Sequence, residues 1–187
     1  MFSKYTTKQP ASGNLNQCGG YALAALAHVH GTCTADLPDG SAVYDKIIAH
    51  QADIGLGKEL DLFAPANTKG ARSLPSSLIK AAKELSFAKY KLTVTKEYGE
   101  KQPELIAFEK VRLDEEVEIT EGSVKAFNQL LKKDGYYLVL VNDGNHWIAM
   151  GKKGDNTYFY DPADGQSGVY DASKSSINFS GVIIRLN

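Results

Sequence analysis

The period of the apolar residues changes partway along this chain. In the first half it suits helices, and in the last third it suits strands. From Cys18 to His30 the run Tyr21-Ala22-Leu23-Ala24-Ala25-Leu26-Ala27 is apolar almost all round, which predicts a buried helix. Asn16 is placed to cap it and Gly31 to stop it. A short helix is predicted over residues 42–51, with Val43, Ile47 and Ile48 near one face. Residues 52–72, with several Gly, Pro and Asn, read as a surface loop. Pro75 then opens a helix whose apolar face is Leu78, Ile79, Ala82 and Leu85. Val124, Phe127, Leu130 and Leu131 show helical spacing once more, and Asp134-Gly135 closes that segment.

Strand-like alternation starts at residues 90–95. Residues 98–121 are charged and fit neither period. The acidic run Asp114-Glu115-Glu116-Val117-Glu118 reads as a solvated face. After it come four strands, over 136–141, 146–150, 157–160 and 181–185, separated by short Gly, Asn and Asp turns. The first fifteen residues, broken by Pro10 and Gly13, read as an extended arm. Helices first and an antiparallel sheet second predict an α+β fold. A length of 187 residues suggests one domain over 1–187.

Composition narrows the function classes. At 43% apolar the chain can fill a core, and its formal net charge of -1 gives no electrostatic reason to expect nucleic acid or an anionic membrane as partner. No apolar run is long enough to span a bilayer, and Met1-Phe2-Ser3-Lys4-Tyr5 lacks a secretory h-region. The expected location is therefore cytoplasmic, or external by a non-classical route. Two cysteines, Cys18 and Cys33, are too few for a disulfide scaffold. No phosphate-binding loop, dinucleotide fingerprint or tight Cys/His pair occurs, so neither cofactor nor metal is expected. Nothing in the sequence sets the oligomeric state.

The candidate chemistry lies in three segments. Cys18 stands where the first helix begins. There the helix dipole and unpaired N–H groups favour a thiolate and an oxyanion. Gly19 and Gly20 beside it offer little bulk, so a substrate backbone can approach. Taken alone, Cys18 is equally well read as a small core residue. His146 opens a strand after the turn Asn142-Asp143-Gly144-Asn145, a rigid and exposed place for a base, with Asn145 and Trp147 flanking it. His28, His30 and His50 read as structural. Asp161 ends the next strand. If Met150 pairs with Thr157, His146 and Asp161 stand directly opposite on one face, suited to an imidazole–carboxylate contact. Asp161 also reads as a turn residue before Pro162.

Gln17-Cys18-Gly19-Gly20-Tyr21-Ala22, Gly144-Asn145-His146-Trp147-Ile148 and Tyr160-Asp161-Pro162-Ala163-Asp164-Gly165 together resemble the papain-like cysteine peptidases. The likeness is greatest to their compact bacterial branch, the C39-like peptidases and related effectors or toxins. The resemblance implies a papain-like α+β fold and a Cys18–His146–Asp161 triad that acts on a protein or peptide through a thioester. It also implies a glutamine several residues before the cysteine, in the oxyanion hole. This chain has Ser12-Gly13-Asn14 there. Gln17 is then the first choice as donor beside the Cys18 N–H, with Asn14 and Gln9 as alternatives. The same machinery suits a deamidase or an acyltransferase, and the missing glutamine leaves a non-catalytic binding module open.

Overall fold

The computed structural model describes residues 1–11, 16–31, 38–52, 72–114, 117–121, 130–173 and 177–187. Asn14, Cys33, most of the expected 52–72 loop and the helical spacing around Val124 and Phe127 lie outside the described residues.

The architecture is α+β, a helical N-terminal part packed on one mixed seven-stranded sheet. Helix α1 (Cys18–His30) has the bounds that its apolar run predicts, and its first ten residues are all buried. Gly31 ends it with φ 79°, a left-handed value that glycine adopts without strain, and returns its N–H to Ala27 and His28. The cap at the other end differs from expectation. Gln17 is the N-cap residue and makes no side-chain cap bond, while Asn16 before it turns to φ 42°. Asparagine tolerates that region, so the residue serves the turn into the helix instead of capping it.

Helix α2 (Gly40–Ala52) crosses α1 closely. A Cβ on Gly20 would lie 2.5 Å from the Gly40 carbonyl and 2.6 Å from the Tyr44 Cβ. Helix α3 (Pro75–Glu84) starts at proline, as expected. Strand β1 (Tyr90–Thr95) follows, then α4 (Lys96–Lys101) and α5 (Pro103–Arg112) fill the stretch that shows no period. Strand β2 (Val117–Thr120) arises within the acidic run. It is an edge strand whose Glu118 points to solvent and pairs with Lys91 at 2.8 Å, so the charge does not prevent pairing.

The remaining strands are β3 (Gly135–Val141), β4 (His146–Lys153), β5 (Asn156–Tyr160), β6 (Ser167–Val169) and β7 (Phe179–Leu186). The sheet order is β2-β1-β7-β3-β4-β5-β6. All neighbours are antiparallel except β1 and β2, which are joined through α4 and α5 and run parallel. Alternation divides the two faces. Leu138, Leu140, Trp147 and Ala149 join α1 in the larger core, while Val139, Val141, Ile148 and Met150 pack in a smaller core on the other side. The N-terminal arm is anchored in the larger core. Phe2 and Tyr5 are each 1% exposed, and the Tyr5 ring meets Tyr160 edge-on at 5.1 Å. Among the described residues no helix is long and apolar enough to cross a membrane.

Candidate active site

Cys18 is the first residue of α1 and only 6% exposed. The sulfur accepts the Trp147 backbone N–H at 3.4 Å across the boundary between helix and sheet. The N–H groups of Cys18, Gly19 and Gly20 precede the first intrahelical bond, which Tyr21 makes to Gln17.

His146 is set by the turn before it. Asn142, Asp143 and Gly144 take φ values of 55°, 56° and 83°, a run that residues other than Asn, Asp and Gly adopt only at a cost. The turn is tied at both ends. Asn142 N–H donates to the Asn178 carbonyl at 2.8 Å, and Gly144 N–H donates to Ser180 Oγ at 2.8 Å. His146 therefore leaves the turn in a fixed direction with its side chain 12% exposed.

Asp161 follows β5 directly. The expected register for this hairpin is corrected by the structure. Met150 pairs with Phe159, not Thr157, and the strands close through the two-residue turn Gly154-Asp155. A two-residue connection is the favoured hairpin closure, and Gly154 (φ 59°) supplies the positive φ that such turns need. His146 and Asp161 are consequently diagonal instead of directly opposite. The slip is two residues, so both side chains stay on one face, and His146 Nε2 lies 2.7 Å from Asp161 Oδ1. The same Oδ1 accepts the Ala163 N–H at 2.9 Å, so the turn role and the contact with histidine coexist in one oxygen.

With Nε2 engaged by Asp161, Nδ1 is the ring nitrogen left for Cys18. Burial of the ring opposes its protonation. The hydrogen bonds to Asp161 and Cys18, and the charges of both, outweigh burial and lift the imidazole pKa to about 10. Burial likewise acts to raise the Asp161 pKa, but the bonds from His146 and Ala163 and the imidazolium charge hold it below the usual carboxylate value. On the other side of Cys18, the Tyr44 phenol is pushed up to about 12 by burial first, then by the charges of Cys18 and Asp45.

A cleft of about 100 Å³ opens beside the sulfur. Leu74, Pro75, Leu105, Leu140 and Trp147 form its apolar walls. Asn16, Arg72, Gln102, Asp143 and Asn145 supply its polar groups. Of the residues expected to bind substrate, Asn145 and Trp147 line this cleft. Gly19 and Gly20 are not substrate-facing. Ser73 and Leu78 crowd the first, α2 crowds the second, and neither lines the cleft. Their lack of a side chain serves helix packing. Gln17 is also turned away. It is 8% exposed, and its Nε2 donates to Ser41 Oγ at 3.4 Å. Gln9 packs against the Asp161 turn, with its backbone N–H on the Pro162 carbonyl at 3.0 Å.

Asn16 is the polar side chain that reaches the cleft from beside Cys18, and its role as a cap in the sequence-based expectation hides this. Arg72, Gln102 and Leu105 carry no local signal of their place in the cleft. They arrive through long-range packing, in which Trp147 Nε1 donates to the Ser73 carbonyl at 3.0 Å.

No protein-family model and no curated protein sequence matches the chain. Two solved structures are similar to it along almost its whole length. One is a double-glycine-motif protease from an AMS/PCAT transporter, crystallised in complex with the leader peptide. It is 16% identical, with 99% of this chain and 96% of that chain covered and a TM-score of 0.46. The other is the Pseudomonas avirulence protein AvrPphB, 11% identical, with 100% of both chains covered and a TM-score of 0.45.

Proposed function

We propose that this chain is a cysteine-dependent amide hydrolase, first of all a peptidase, and that residues 1–187 form its catalytic domain. One observation carries this reading: the His146 ring is bonded to the Asp161 carboxylate at 2.7 Å and its protonation is favoured by both Asp161 and Cys18. In this mechanism the sulfur attacks the carbonyl carbon as a thiolate, with the proton held on His146. The carbonyl oxygen takes up negative charge beside the Cys18 N–H at the start of α1, near the Asn16 amide. His146 passes its proton to the leaving amine, and a thioester remains on Cys18. Water, deprotonated by His146, then releases the acid. Asp161 keeps Nε2 bonded and so keeps Nδ1 directed at the sulfur.

The test is alkylation of the native protein by iodoacetamide at neutral pH, read by intact mass and peptide mapping. Cys18 is expected to react faster than Cys33, and His146→Ala to slow Cys18 alone. Cys18→Ala removes all acyl adducts formed with peptide probes. Equal, slow modification of both cysteines in the native protein refutes an activated sulfur.

A further inference from the structure

The cleft beside Cys18 is lined by a cation, Arg72, that has no ion pair among the described residues. Arg72 belongs to the extended strip leading into α3. Pro75 keeps Leu74 out of the helical region (φ -76°, ψ 146°), and residues 72–75 pass along the cleft and all line it. Ser73 points inward against Gly19, and its carbonyl accepts the Trp147 indole N–H. Leu74 N–H is held by Gln51 Oε1 at 2.9 Å. Arg72 and Leu74 line the cleft. The strip is therefore clamped at two points, whereas the guanidinium is not. Arg72 Nε is sealed from solvent with no hydrogen bond, and Arg72 makes no ion pair among the described residues.

Two carboxylates in this part of the molecule have other partners. Glu109, whose charge Tyr98 senses together with that of Arg72, gives Oε2 to the Ser76 N–H at 2.7 Å. Burial raises the Glu109 pKa to about 7, which weakens it as a counter-charge. Asp143 is exposed and accepts from Asn178 Nδ2 at 3.3 Å. The walls Leu74, Leu105, Leu140 and Trp147 suit an aliphatic stem, and the guanidinium suits an anionic tip.

We propose that this cleft is a specificity pocket in which Arg72 selects a substrate residue with a glutamate-like carboxylate side chain close to the scissile bond. The proposal rests on the hydrolase reading of Cys18. Glutamine has nearly the same shape but leaves the guanidinium uncompensated, so charge decides the selection.

The experiment is labelling of Cys18 by acetyl-tripeptide vinyl sulfones. Each carries Glu, Gln, Leu or Lys at one of the three positions in turn, with alanine elsewhere. At one position the Glu probe is expected to react about tenfold faster than its Gln twin, and Arg72→Gln to bring that ratio near one. Iodoacetamide, which has no side chain to place, reports the sulfur's own reactivity in parallel. Equal rates for Glu and Gln at every position overturn the pocket and leave the hydrolase standing. If Arg72→Gln does not fold, Arg72→Met replaces it; it keeps an unbranched stem but loses the charge, and the ratio falls. If no probe labels Cys18, the hydrolase reading fails separately. The pocket is then decided by NMR of the Arg72 Nε–H. A shift with acetyl-glutamate amide and none with acetyl-glutamine amide supports a carboxylate site, and no shift with either ends the proposal.

Discussion

Replacing Glu109 with glutamine removes a buried proton equilibrium from beneath the cleft. Glu109 is 0% exposed. Its Oε2 accepts the Ser76 N–H at 2.7 Å, while Oε1 has no partner. Burial outweighs the bonds from Ser76 and the charges of Arg112 and Lys80, and lifts the pKa from 4.5 to about 7. That rise of about 2.5 units, at ~1.4 kcal/mol each, is on the order of 3 kcal/mol. A raised pKa means that the folded protein holds the proton more tightly than the unfolded chain does. The stabilisation is therefore complete below the unfolded value of 4.5 and is lost as pH rises through about 7. Glutamine keeps an acceptor for Ser76 and has no proton to lose. Urea denaturation of both proteins across this range should show the stability difference moving toward the variant by about 3 kcal/mol, with most of the change complete one unit above the folded pKa. The comparison cancels titrations common to both proteins. A difference that stays flat with pH would refute the buried-carboxylate account. Ser76 directly follows the cleft wall Leu74-Pro75, so ionisation here acts next to the site.

Three further substitutions probe the site and its scaffold. Asp161→Asn removes a charge bonded at 2.7 Å to His146, so the histidine pKa should fall from about 10 by about one to three units. NMR titration of the ring measures this, and an unmoved titration would separate Asp161 from the imidazole. The stability that His146 contributes is present below 6.5 and lost as pH rises through about 10, and the variant should show a narrower window. Gly20→Ala puts a Cβ 2.5 Å from the Gly40 carbonyl, so α1 and α2 must separate, at a cost of about 1–3 kcal/mol in thermal or urea unfolding. Gly31→Ala meets nothing within 4 Å and loses only the left-handed φ of 79°, about 1 kcal/mol. A Gly20→Ala cost below about 1 kcal/mol would contradict the close helix crossing.

The parts of this site differ in how far one chain segment can reveal them. Helix α1 and strand β1 are legible because an apolar run and an alternation are local properties, and their bounds follow from nearby residues such as Gly31. The hairpin that carries His146 and Asp161 is legible in its face but not in its register. Gly154-Asp155 is a sufficient two-residue turn, yet a longer connection fits the same residues, and the two choices differ by an even step that leaves the face unchanged. That parity keeps imidazole and carboxylate within reach under either pairing, so the chemistry is more robust to error than the geometry. The acidic run conceals β2 for a different reason. Only its fourth residue, Val117, is apolar, and the strand exists because β1 offers it an edge. Arg72 lies at the far limit of legibility. Nothing within ten residues of it refers to Cys18, and the bond that brings its strip to the sulfur joins Trp147 to Ser73 across 74 positions. A pocket assembled by such contacts is invisible to periodicity. It becomes visible through an electrostatic mismatch instead, a sheltered guanidinium N–H without an acceptor among the described residues, in the cleft beside the Cys18 sulfur.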